Sequence, residues 1–165
     1  MTTSKDSFLN PPYGGKLVNL VTTGAEREAL REEANRYPSI QISDRALHDL
    51  ELLAVGGYSP LDRFMGKEDY QRVLTEMRLA DGTLFPMPIT LTIKKEDLPT
   101  DSDWIAIRDS RLNLIAVMKL EEVFKKVRAD VQSASNGKQV PWDSSSVTGD
   151  FYFASLETKE SQKYV

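Results

Sequence analysis

Apolar residues recur along this chain at two periods, and the period changes near residue 82. In the first half the spacing is helical. Leu30, Ala34 and Tyr37 share one face of a helix expected over residues 24–36. Thr23-Gly-Ala-Glu26 offers it a capping box, and Pro38 stops it. Ser39-Ile-Gln-Ile42 alternates like a short strand, as does the stretch from Leu17 to Val21. Ser43 then suits an N-cap, with Asp44 beside the positive end of the helix dipole. Leu47, Leu50 and Ala54 form the stripe of that second helix, and Gly56-Gly57 supply a left-handed exit. After a turn-rich connector over 58–66, Tyr70, Val73, Leu74 and Met77 mark a third helix.

Beyond Asp81-Gly82, residues Met87, Ile89, Leu91 and Ile93 alternate with polar or proline positions and predict a half-buried strand. Trp104 to Arg108 and Leu112 to Met118 read as two strands about a turn at Asp109-Ser-Arg111. Leu120, Val123, Phe124 and Val127 return to helical spacing and predict a fourth helix. Residues 132–150 are serine-rich, with Asn136-Gly137 and Pro141, and read as a loop before a last strand from Phe151 to Leu156. Helices first and strands later predict an α+β fold. It should hold a mostly antiparallel, barrel-like sheet with the N-terminal helices packed against it. The expected organisation is an extended arm (1–15), a single domain (16–156) and a polar tail (157–165).

Composition narrows the class. The chain has 165 residues, 40% of them hydrophobic and 28% charged, with a net charge of −4. These values fit one globular domain and argue against a nucleic-acid backbone as partner. No cysteine is present, so disulfides and thiolate metal sites are excluded. The first fifteen residues lack the layout of a signal peptide, and no apolar run reaches the roughly 20 residues that span a bilayer. A cytoplasmic protein with no membrane partner is expected.

Several blocks together resemble the N-terminal region of sulfate adenylyltransferases. Residues 47–91 carry Leu47-His-Asp-Leu-Glu51, Gly57-Tyr-Ser-Pro-Leu61, Arg78-Leu-Ala-Asp-Gly82-Thr-Leu84 and Pro88-Ile-Thr-Leu91. Outside that stretch, Pro12-Tyr-Gly-Gly-Lys-Leu17 resembles the family's Pro-His-Gly-Gly-x-Leu opening, and Gly149-Asp-Phe-Tyr152 its Gly-Asp-Tyr-Tyr. Tyr13 replaces a histidine, Arg63 a glycine, and a serine-rich stretch replaces the family's Asp-Pro-x-His-Pro. The resemblance implies a PUA-like fold and a family reaction in which ATP and sulfate give adenylyl sulfate and pyrophosphate. It also implies that catalysis belongs to a nucleotidyltransferase domain with Gln-x-Arg-Asn and His-x-x-His segments. Neither segment occurs here, and His48 is the one histidine. The chain is therefore expected to be inactive by itself, with no catalytic residue, cofactor or metal to assign. Its implied role is accessory, partnered by a catalytic domain on the same or a separate chain. A freestanding PUA-like module for RNA or a small ligand, and an inactive truncated remnant, stay open as alternatives.

The remaining chemistry is sparse. His48 has Glu51 at i+3 as its candidate orienting partner, but a boundary histidine bonded to a neighbour explains it as well. Asp44, Asp49 and Glu51 fit a charged helix face better than a metal site. Gly14-Gly-Lys16 lacks the spacing of a phosphate loop. Lys125, Lys126 and Arg128 are not interleaved with aromatics, as an RNA surface would require. Tyr58, Leu61, Phe64 and Met65 sit in the connector and form the candidate interface, with core as the competing reading.

Overall fold

The computed structural model describes residues 10–125 and 144–153. The elements follow in the order α1 (Gly24–Ala34), β1 (Ser39–Gln41), α2 (Asp44–Ala54), α3 (Lys67–Glu76), β2 (Leu91–Lys94), β3 (Trp104–Arg108), β4 (Leu114–Lys125) and β5 (Ser144–Phe153). The strands form one sheet in the order β1-β3-β4-β5-β2. Only β1 and β3 run parallel; the other pairings are antiparallel. The expected α+β class with a mostly antiparallel sheet holds. The sheet is not closed into a barrel: among the described residues β1 and β2 stand at its two edges and do not pair with each other.

The helices follow their local signals. Ser43 accepts from the Ala46 amide at 3.3 Å, the expected N-cap of α2. Its stripe is inside, with Leu50, Leu53 and Ala54 fully buried. At its end Gly56 adopts φ 81; the Gly56 amide donates to the Leu53 carbonyl and the Gly57 amide to that of Leu52. This crossed pair is a Schellman motif. The capping box of α1 fails: Thr23 makes no side-chain cap bond, and Gly24 enters the helix at φ 60, outside the helical region that a capping box presumes at its first position. Met77 does not belong to the stripe of α3. It leaves the helix in a left-handed conformation, φ 55, and is exposed.

The core lies between the sheet and the α2–α3 layer. Phe64, Leu50, Leu53, Met65, Ile105 and Met118 are among its largest fully buried side chains. A second, smaller cluster of Ala34, Ala106 and Val117 seats α1 on the opposite face of β3 and β4, where Tyr37 stacks on Trp104 at 5.7 Å. Burial on both faces explains why residues 104–107 read as a continuous apolar run.

Two sequence expectations are overturned on the C-terminal side. Residues 120–125 are not helical; they continue β4. Met118 and Phe124 are buried and Leu120 packs against the core, which is period two. Glu122 interrupts that inward row, and the interruption imitates a helical spacing. The serine-rich stretch is not all loop either, since Ser144 to Asp150 belong to β5 and pair with β4 and β2. A β-bulge at Leu120–Glu122 lets the paired strands bend, and Gly149 lies opposite it. A Cβ at Gly149 would run into the Lys119 carbonyl oxygen. Residues 17–21 form no strand. They lie along the end of α2, with the Leu20 amide donating to the Ala54 carbonyl at 2.9 Å. The expectations for residues 1–9, 126–143 and 154–165 lie outside the described residues.

Candidate interaction surface

The connector after α2 was the expected interface, and the structure turns most of it inward. Leu61 is 6% exposed and Phe64 and Met65 are fully buried, so these three are core and not a docking surface. The Met65 amide donates to the Ile89 carbonyl at 2.9 Å, which folds the connector under the strand side of the core. Large apolar side chains on a loop that crosses a core are more cheaply buried than left in water. Tyr58 is half-buried, and its hydroxyl donates to Asp49 at 2.8 Å. Burial, reinforced by that bond to a carboxylate, pushes the Tyr58 hydroxyl up to about 12.

The surface outside this connector is built from two segments that meet at the end of α2. The turn at Tyr13–Gly15 has Gly14 at φ 75, where an added Cβ would sit 2.8 Å from Pro60. Ser59, itself buried, accepts from the Val18 amide at 3.0 Å and donates to the Gly56 carbonyl at 2.7 Å. Thus Pro12–Leu17 and Gly57–Leu61, two of the motifs quoted above, pack on one another. Around this junction Leu17, Leu52 and Val55 are exposed, at 60%, 42% and 53%. A Cβ at Gly56 would lie 2.8 Å from Leu17 Cδ1, and one at Gly57 2.9 Å from Leu52 Cδ2. Both leucines therefore flank the glycine pair. The sequence carried a signal for this: Leu52 falls off the stripe Leu47, Leu50, Ala54, so it had no place inside.

The polar candidates are held in structural bonds. A ring nitrogen of His48 lies 2.6 Å from the Asp44 carbonyl, one turn back on α2, rather than being oriented by Glu51. Ser110 donates to Asp44 at 3.4 Å, and Asp49 is taken by Tyr58. Lys16 follows the glycine turn in an extended conformation. Among the described residues no group of His, Asp and Glu is arranged to hold a metal ion, and no helix is long and apolar enough to cross a membrane. A groove of about 460 Å³ opens between Lys67 and Tyr70 of α3 and Glu122, Phe124 and Lys125 of β4. Glu122 in its lining is already engaged, accepting from the Lys67 amide at the start of α3 at 2.9 Å. Lys125 ends β4, while Lys126 and Arg128 lie outside the described residues.

A family model described as a PUA-like domain matches residues 10–138. The sulfate adenylyltransferase of Nostoc punctiforme is 41% identical over 115 residues, which are 68% of this chain and 29% of that protein. That of Phaeosphaeria nodorum is 44% identical over 122 residues, 70% of this chain and 21% of that protein. That of Trichodesmium erythraeum is 39% identical over 116 residues, again covering only 30% of the relative. The chain thus spans less than a third of the length of these curated relatives. Among solved structures, a chain of the hexameric APS kinase from Thiobacillus denitrificans superposes with a TM-score of 0.71 at 31% identity, covering 92% of this chain and 28% of that one. A PUA-like match over most of the chain, beside relatives that share this stretch and extend well beyond it, makes the chain a member of the PUA-like domain family in the form that sulfate adenylyltransferases carry.

Proposed function

We propose that this chain is an accessory module of sulfate adenylyltransferase chemistry, with no catalytic residues of its own. In this reading it braces and orients a nucleotidyltransferase domain, on the same or a separate chain, that joins ATP and sulfate into adenylyl sulfate and pyrophosphate. The observation that carries the reading is the extent of the match: most of this chain corresponds to less than a third of each relative. The bonding of the polar residues supports it. His48, Asp49 and Glu122 are engaged with backbone or tyrosine groups of the fold, where they serve stability. A rigid neighbour fixes the walls of a site built at a domain boundary. Action in the cytoplasm belongs to the same proposal.

Two measurements test it. The purified chain, incubated with ATP and sulfate, is expected to release no sulfate-dependent pyrophosphate; sustained release from protein free of host enzyme refutes the non-catalytic role. The chain is then titrated at low and high salt with two candidates. One is the Nostoc punctiforme enzyme lacking its matched segment, and the other is single-stranded RNA. Protein binding that persists at high salt is expected, because apolar burial is screened little by ions. RNA binding alone, falling with salt at a slope of about −0.7 per neutralised phosphate, would favour the freestanding RNA module.

A further inference from the structure

We propose that Leu17, Leu52 and Val55 form the face on which the remainder of a sulfate adenylyltransferase docks. The inference rests on the family reading above and adds a location to it. Single exposed apolar residues are ordinary, but these three gather about one helix end. The Schellman exit of α2 makes Leu52 conspicuous. In that motif the residue three positions before the cap usually finds an apolar partner two positions after it. Here that second position is Gly57, which has no side chain, so Leu52 is left bare. Gly57 is not held to glycine by a left-handed backbone; a Cβ there would meet the Leu52 side chain at 2.9 Å and the Leu52 carbonyl oxygen at 3.3 Å. Lys16 and Asn19, both exposed, flank Leu17 along the chain, and Glu51, half-buried, precedes Leu52. An apolar centre within a polar rim is the composition of a protein interface.

The occupant follows from the lengths. In the Nostoc punctiforme relative the matched segment is 29% of the protein, so more than two thirds of that chain is tethered to a segment like this one. Two of the motifs through which this chain resembles that family meet at the patch. A neighbour that is always present is the partner for which a bare apolar face costs nothing in solubility.

The test uses the full chain and its double variant L52S/V55S, each titrated with the Nostoc punctiforme enzyme lacking its matched segment. The control is L112S, an equally exposed leucine in the turn beside the start of α2, roughly 16 Å along the helix from the patch. The double variant should bind at least about tenfold more weakly, as loss of a central apolar anchor predicts, and L112S should match the unaltered chain. Undiminished binding by L52S/V55S, or equal loss in L112S, overturns the location and leaves the family reading intact. No binding by the unaltered chain overturns both. Self-association of the unaltered chain that L52S/V55S abolishes overturns the proposal in favour of a second copy. Should the double variant fail to fold, hydrogen exchange on the unaltered chain decides. Partner-induced protection must then appear at the amides of residues 51–57, and its appearance elsewhere alone overturns the proposal.

Discussion

The carboxylate of Glu122, on β4, accepts a hydrogen bond from the backbone amide of Lys67, the first residue of α3, at 2.9 Å. The residue before that helix is Gly66, which has no side chain to cap it. A strand thus caps a helix 55 positions earlier in the chain. The neighbouring Glu121 adds a 2.7 Å ion pair to Arg63, so the bulged part of β4 holds both ends of the approach to α3. Glu122→Ala should cost about 1 kcal/mol, the usual loss on removing a cap, and Glu122→Gln should recover most of it. Denaturant midpoints at constant slope measure both. Equal destabilisation by the two variants would show that the charge, and not the acceptor, matters.

Leu50 is fully buried at the centre of the main core, whereas His48 is exposed two positions earlier. Leu50→Ala is expected to destabilise by about 2–5 kcal/mol. His48→Ala is expected to stay within about 0.5 kcal/mol, since it forfeits one contact to a helix carbonyl. Chemical denaturation of both variants checks the order.

Gly149 tests the sheet. Any side chain there meets the backbone of Lys119 and Glu121, which cannot swing aside as a side chain can. Gly149→Ala should cost at least about 2 kcal/mol through forced displacement of β5 from β4. A variant as stable as the original, in thermal melts, would mean that the bulge relaxes freely.

Tyr58 gives the fold an alkaline limit. Its hydroxyl titrates near 12 in the folded chain against 10.0 for an ordinary tyrosine. The protonated form is therefore favoured by folding. Its contribution is complete below about pH 10 and is lost as the pH rises through about 12. Tyr58→Phe should reduce the fall in stability across that window and remove one late-ionising group from the tyrosinate absorbance titration. Tyr37, also raised by burial and by Glu33, remains as a second late group. Loss of a group titrating near 10 instead of a late one would place Tyr58 in water.

Elements with local signals were legible in the sequence. Ser43, the stripe through Leu50 and the Gly56 exit define α2 within a few bonds of one another. The turn read at residues 109–111 was visible, and there Asp109 bonds the amides of Arg111 and Asn113; the strand expected from Leu112 starts at Leu114. The rest depended on distant partners. Glu122 occupies an inward strand position to serve α3, which no local pattern encodes. Ser144 to Asp150 have weak strand propensity and are ordered by pairing with β4 and β2. For the site, the connector residues Leu61, Phe64 and Met65 carried the right apolar chemistry but face inward. Leu52, off its helix stripe, was the readable sign of an outward face.

The parallel pairing of β1 with β3 has a consequence for how the molecule assembles. Ile42 donates to the Arg108 carbonyl and Ala106 to that of Pro38, so residues 42–103 form a loop pinched shut at its base. Three residues of β1 hold that closure. The β3–β4 hairpin can form early from neighbours in sequence, but β1 can join only after the chain has paid the entropy of closing the long loop. The slow step of folding is therefore expected to be the arrival of β1, and a substitution such as Ile40→Ala should retard refolding more than it accelerates unfolding.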